Sequence, residues 1–193
     1  GGYRLRVALQ NAATGATTPV QRHGWRALLF GRDVEVARLT VTSRPRSYVV
    51  PQMSHALMAN FGHQVALLGY DVAPDVAGRG MQAGQTVTVT LHFKTLQEMD
   101  DDYTIFLHLV DSREQIWGQH DAPAGGADHA TSQWRTGEVV STTLRVTLAS
   151  ATPADQINAM MGLYNRATGR RLPVVGQPTS SDRVLLFSAT IAH

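Results

Sequence analysis

Apolar and polar side chains alternate with period two over much of the chain. In residues 86–93, Val87, Val89, Leu91 and Phe93 share one face, and Thr86, Thr88, Thr90 and His92 take the other. That is the pattern of a half-buried strand with β-branched residues on its wet side. Thr142, Leu144, Val146 and Leu148 repeat it, with Arg145 and Thr147 outward. Residues 103–110 are apolar on both faces, as in a central sandwich strand, and 64–72 read alike. Between these runs lie turn formers. Asp111-Ser112-Arg113-Glu114 predicts a hairpin into Gln115–Gln119, and Ala83-Gly84-Gln85 opens the strand at Thr86. Asp121–Gly137, rich in Ala, Gly and Asp, is the longest loop, and loops of that length tend to be functional or mobile. No long stretch has helical period. His55–Phe61 is expected to form a turn or two of helix, and Arg44–Gln52, with Pro45 and Pro51, an extended linker. About nine or ten short strands at even spacing predict an all-β fold, an antiparallel β-sandwich or jelly roll.

Two stretches repeat one another. Ala8–Val20 matches Gly162–Val174 at seven of thirteen positions, among them Asn11/Asn165, Gly15/Gly169 and Pro19/Pro173. Leu28-Leu29-Phe30 recurs as Leu185-Leu186-Phe187, so the offset moves from 154 to 157 and the second copy is expected to carry three extra loop residues. Internal repeats reorganise a fold prediction. Here they predict an N-terminal β-hairpin of the same kind as one at the C-terminus. The organisation expected is a hairpin over 1–41, the tail of a preceding repeat, then a linker over 42–56 and a sandwich over 57–193. A lone hairpin is marginally stable in water, so its apolar face is expected to be covered by the main domain or by a second chain. Its open edge suits homodimer pairing.

Composition narrows the function classes. The formal net charge is +2 and the basic residues are scattered, which argues against a nucleic-acid footprint. Arg dominates over a single Lys, Lys94, as a GC-rich genome produces. Cysteine is absent, excluding disulfides, thiolate metal sites and cysteine nucleophiles. No run approaches membrane-helix length, and no signal peptide is visible. The start at Gly1-Gly2 suggests a piece of something longer.

Several runs carry a resemblance. They are Phe61–Asp71, Gly84–Thr90, Asp102–Asp111, Trp117–Asp121, Thr131–Val140 and Gly162-Leu163-Tyr164. Together they resemble a β-sandwich module that follows, in tandem, the multi-pass glycosyltransferase-like domains of dolichyl-phosphate-mannose type in bacterial membrane proteins. The likeness spans about Leu57 to His193. Gly80–Gly84 departs from it, standing where a Pro-Gly turn is usual. The resemblance implies an extracytoplasmic or cell-surface accessory module beside adjacent domains of a larger membrane protein. It implies no catalytic residue in this chain.

Candidate chemistry is sparse. Trp117, Trp134 and Tyr103 are the aromatic candidates for sugar stacking; the competing reading makes Trp117 core and Trp134 a plug for the long loop. His120 and Asp121 join them as ligand candidates. The pairs His120-Asp121 and Asp128-His129 are metal-like, but adjacent residues point to opposite sides of an extended chain and do not converge as zinc requires. Asp100-Asp101-Asp102 with Glu98 lacks the alternate spacing of calcium loops. No metal or cofactor is expected. No Gly-x-Ser-x-Gly elbow, phosphate loop or dinucleotide fingerprint occurs. His108 and Asp111 could pair as base and orienter. The expected function is a non-catalytic accessory module contacting glycans. The alternatives are a free-standing carbohydrate-binding module and a small hydrolase using His108 or His120.

Overall fold

The computed structural model describes residues 2–18, 34–40, 44–153, 155–176 and 181–192. The chain divides into two compact units, Gly1–Pro45 and Arg46–His193. Among the described residues there is no α-helix, and no helix is long and apolar enough to cross a membrane.

In the first unit, β1 (Gly2–Val7) pairs antiparallel with β4 (Val34–Thr40), and the short β2 (Leu9–Gln10) pairs with β3 (Thr17–Thr18). The second unit is an antiparallel β-sandwich. Its strands are β5 (His55–Phe61), β6 (Val65–Ala73), β7 (Gly80–Gln82), β8 (Thr86–Thr95), β9 (Tyr103–Val110), β10 (Ile116–Pro123), β11 (Val139–Thr147), β12 (Gln156–Asn165) and β13 (Val184–Ala192). One sheet runs β10-β9-β12-β13-β7, with β7 parallel to β13; the other runs β11-β8-β6-β5.

Period-two patterning puts the core between the sheets. Val87, Val89, Leu91 and Phe93 of β8 meet Leu144 and Val146 of β11 on one side, and Ile105, Leu107 and Leu109 of β9 with Ile157, Ala159, Met161 and Leu163 of β12 on the other. All are essentially sealed from solvent. At roughly 1.5–3 kcal/mol per large apolar side chain, this interior dominates the stability.

Three expectations are corrected. His55–Phe61 is a strand, not a helical turn, because pairing with β6 claims its backbone. The linker expected over 42–56 is pinned to the second unit from Arg46 on. Val139 N–H donates to Ser47 O (2.8 Å), and Ser54 donates its backbone N–H and hydroxyl to Asp71 (both 2.7 Å). The long loop begins after Pro123, since Asp121 lies in β10.

The repeat is real in three dimensions. Asn165 Oδ1 accepts from Ala167 N (2.9 Å) and Thr168 N (3.1 Å), and Gly169 N–H reaches Asn165 O (2.8 Å). Asn11, Ala13, Thr14 and Gly15 reproduce all three bonds at the same lengths. The glycines take φ +68° and +70°, a left-handed conformation that favours Gly. The strands match too. β1/β4 carries its register shift between Leu5 and Arg6, and β12/β13 between Ala159 and Met160, 154 residues on. The returning strand corrects the sequence match. Gly2 pairs Thr40 as Gln156 pairs Thr190, so the offset there is 190 − 40 = 150, not 157. The second copy's loop is therefore shorter, and Leu185–Phe187 correspond to Glu35–Ala37. Leu28–Phe30 lie outside the described residues.

Candidate functional site

The outward face of the five-stranded sheet carries the site. Residues of β9 that face away from the core include Phe106 and His108, since their neighbours Ile105, Leu107 and Leu109 face inward. Phe106 pairs Asp121 of β10 on one side and Gly162 of β12 on the other. Gly162 has no side chain, and the Phe106 ring lies down over it. A Cβ there would meet Phe106 Cζ and would stand 2.5 Å from both Phe106 Cε1 and the Asp182 carbonyl. The Arg171 guanidinium lies over the ring, 4.3 Å from its centroid. Phe106 is thus buried although it points away from the sandwich core.

Tyr164, one row along β12, reaches across Phe106 (ring centroids 6.4 Å apart) and donates its hydroxyl to Asp121 Oδ2 (2.9 Å). The other carboxylate oxygen, Oδ1, is 3.8 Å from His108 Nε2. Phe106, His108, Asp121, Tyr164, Gly169 and Arg171 together line an open cavity of about 220 Å³. Burial lowers the His108 pKa below its usual value, against the pull of Asp121, so the imidazole is neutral near pH 7. Burial first, then Asp121, raises the Tyr164 pKa and keeps the phenol protonated. The site thus brings together aromatic surface, a two-oxygen acceptor, a phenol, an imidazole and a guanidinium.

The sequence candidates separate. Asp121 lines this cavity. His120, its neighbour, points elsewhere and engages Arg145 O through Nδ1 (2.6 Å). Trp117 is half-buried, packs on the core and donates Nε1–H to Asp111 (2.9 Å). Trp134 is buried, donating Nε1–H to His129 O (2.9 Å) with its ring 6.2 Å from Phe93. Tyr103 is buried, and burial raises its pKa. These three rings therefore present no common stacking face. Asp111 accepts from Trp117, Arg113 and Gln115 and caps a turn. The carboxylate nearest His108 is Asp121, because residues three apart on a strand face opposite sides. Glu98 pairs with Arg135 (2.8 Å), and Asp102 Oδ1 accepts from Ser132 N–H (3.2 Å); both fasten the long loop. Among the described residues no three His, Asp or Glu converge on one point.

Two further polar clusters went unnoticed in the sequence. Glu138, 1% exposed, accepts from Arg46 Nη1 (2.7 Å) and Arg135 N–H (2.9 Å) and lies 3.3 Å from His129. It ties the long loop and residues 46–54 to β11. On the outer face of the four-stranded sheet, Ser141 Oγ is 2.8 Å from His92 Nδ1, and His92 Nε2 is 2.8 Å from Asp71 Oδ2. The bonds from His92 and Ser54 pull Asp71 down to a pKa of about 2. A wider depression of about 530 Å³ is lined by Asp111, Ser112, Arg113, Asp155, Gln156 and Asn158, with no aromatic side chain.

Of the cavity residues, Phe106 and Tyr164 lay in runs that carry the resemblance but were not singled out as ligand candidates, and Arg171 carried no signal beyond its place on the repeated turn. The chain matches no protein-family model and no curated protein. Among solved structures it is similar to a Niemann-Pick type C2 protein from Japanese carpenter ant, at 9% identity and a TM-score of 0.39, over 75% of this chain and 100% of that one. It is also similar to Spo0M, a sporulation control protein from Bacillus subtilis, at 15% identity and a TM-score of 0.30, over 67% of this chain and 50% of that one.

Proposed function

We propose that the chain is a non-catalytic accessory β-sandwich module of a larger membrane- or surface-associated, glycosyltransferase-like protein. It sits on the outer side of a bacterial membrane and contacts glycan through the Asp121 cavity. One observation carries the contact: Asp121, held by Tyr164, opens beside His108 and Arg171 onto a cavity with an aromatic floor. Sites for small polar ligands combine apolar surface with a few placed donors and acceptors. The two-copy turn adds weight. Tyr164 and Arg171 correspond to Gln10 and Thr17 in the first copy, whose turn geometry is otherwise the same. The second copy carries an aromatic and a cationic side chain where the first has Gln and Thr. The membrane-protein context rests on the resemblance of Phe61–Asp71, Asp102–Asp111 and Thr131–Val140. A glycan array probed with the whole chain tests this reading. Selective binding that Arg171→Ala abolishes is expected; a blank array, or binding that Arg171→Ala leaves unchanged, refutes the contact.

A hydrolase is the second reading, favoured by the Ser141–His92–Asp71 chain of hydrogen bonds. It ranks lower because Ser141 sits mid-strand in an unbroken ladder opposite His92, not on a sharp turn that exposes the nucleophile. Labelling of Ser141 by a fluorophosphonate, lost in His92→Ala, would reverse the ranking.

A further inference from the structure

We infer that the glycan unit taken by the Asp121 cavity is an uncharged pyranose ring with vicinal hydroxyls, one of them bridging His108 and Asp121. The inference rests on the glycan-contact reading and narrows it to a ligand class.

The gap between His108 and Asp121 comes first. Nε2 and Oδ1 stand 3.8 Å apart, too far for a direct hydrogen bond. Two ordinary bonds of about 2.8 Å meeting on one oxygen span roughly 4–4.6 Å. A hydroxyl fits after the two groups part by a few tenths of an ångström, and Asp121, 41% exposed, is able to move that far. The polarity is set by the groups themselves. A neutral imidazole with its proton on Nε2 donates to the hydroxyl oxygen, and the hydroxyl donates its own proton to Asp121 Oδ1. The other carboxylate oxygen is already committed to Tyr164, which fixes the orientation of the free one. Groups facing His108 are Asp121 from β10 and the guanidinium groups of Arg171 and Arg183.

A second hydroxyl has a donor waiting. Of the five N–H groups on Arg171, the described structure engages Nη1 with Asp182 Oδ2 (3.2 Å) while the plane rests on Phe106. The remaining N–H groups of this cavity-lining side chain suit the oxygen of an adjacent hydroxyl. The carbon skeleton between the two hydroxyls then lies against the half-buried Tyr164 ring, where C–H groups replace water at little cost.

Charge selects the neutral ring. Asp121 faces the cavity with an open oxygen, and Arg171 is shared with Asp182. Arg183, the second guanidinium near His108, is likewise shared, with Glu114 (2.6 Å), so a uronate or phosphate substituent entering here meets an open carboxylate oxygen at close range and two cations already paired. Like-charge juxtaposition of that kind disfavours binding.

The test is a titration of the whole chain by NMR with three probes: methyl hexopyranosides, the matching methyl hexuronides, and cyclohexane-1,4-diol, whose hydroxyls are not adjacent. The side-chain resonances of His108, Tyr164 and Arg171 report the site, and the backbone spectrum reports the fold. Methyl hexopyranosides at millimolar concentration are expected to shift the His108 and Arg171 signals. Asp121→Asn is expected to weaken that binding at least tenfold without changing the backbone spectrum. Two results overturn the ligand class while leaving glycan contact standing: uronides binding more tightly at the same side chains, or the 1,4-diol matching the hexopyranosides. If array glycans bind and none of the three side chains responds, the cavity assignment falls together with this inference.

Discussion

Replacing Gly162 by Ala probes the floor of the cavity with a single methyl group. The φ of Gly162 is not in the left-handed region, so its backbone suits Ala and only space is at issue. The added carbon would stand 2.5 Å from Phe106 Cε1 and 2.5 Å from the Asp182 carbonyl oxygen, about 1 Å short of a comfortable contact. The ring can tilt away; the carbonyl belongs to the backbone and cannot. Overpacking of this sort costs about 1–3 kcal/mol, and the rigid carbonyl places it in the upper half. Against it, Ala in place of Gly reduces the freedom of the unfolded chain and returns about 0.4–1 kcal/mol. The net expectation is a loss of about 1.5–2 kcal/mol. With a urea m-value near 2 kcal/mol/M, the unfolding midpoint should fall by about 0.8–1 M. The tilt also removes the surface on which Arg171 rests, so glycan binding should disappear even where the protein is fully folded. Equilibrium urea unfolding followed by tryptophan fluorescence reads the first effect and the array the second. A midpoint unchanged or raised would show that the ring and the Asp182 carbonyl do not crowd Gly162, and the described cavity floor would be wrong.

Other expectations follow from the remaining clusters. Trp134→Ala removes a buried ring against Phe93 and should cost about 3–5 kcal/mol in the same assay; a cost below about 1 kcal/mol would contradict its burial. Arg46→Ala leaves the sealed Glu138 carboxylate with His129 and one backbone N–H, and should cost about 3 kcal/mol. Limited proteolysis should then cut within 46–54 or 124–137, and an unaltered digestion pattern would argue against the clasp. Asp71 has a folded pKa depressed from 3.8 to about 2. Its stabilisation is present above the unfolded value and is lost as pH falls from about 4 through about 2. Because Asp71 is more than a third exposed, screening reduces that contribution to about 1 kcal/mol. Asp71→Asn should therefore be less stable than the parent at pH 6, with most of the difference gone at pH 2, where the carboxylate is half protonated; a difference undiminished there would rule out the ionised carboxylate as its source.

The strands were legible because alternation survives burial. Val87, Val89, Leu91 and Phe93 announce an inward face whatever lies opposite. His55–Phe61 misled because Ala, Leu and Met favour helix intrinsically, while the sheet edge at β6 decides the outcome. The repeated turn was legible because Asn, Thr and Gly each perform a specific bond or φ in it. The Leu-Leu-Phe match failed because short apolar strings recur in any β protein, and only register tells them apart. At the site, Asp121 stood out because it is a carboxylate beside a histidine, His120. Phe106 and Tyr164 looked like ordinary strand aromatics, and Arg171 like one of many scattered arginines. What gathers them is cross-strand register, Asp121 to Phe106 to Gly162, over a sequence span that no local pattern records.

A crystal structure of the chain grown with the tightest glycan from the array tests the central claim most directly. A sugar ring between Asp121, His108 and Arg171, on the outer face of β10-β9-β12, is the expected result. Glycan seated instead against Trp117, or an adduct on Ser141, would contradict it.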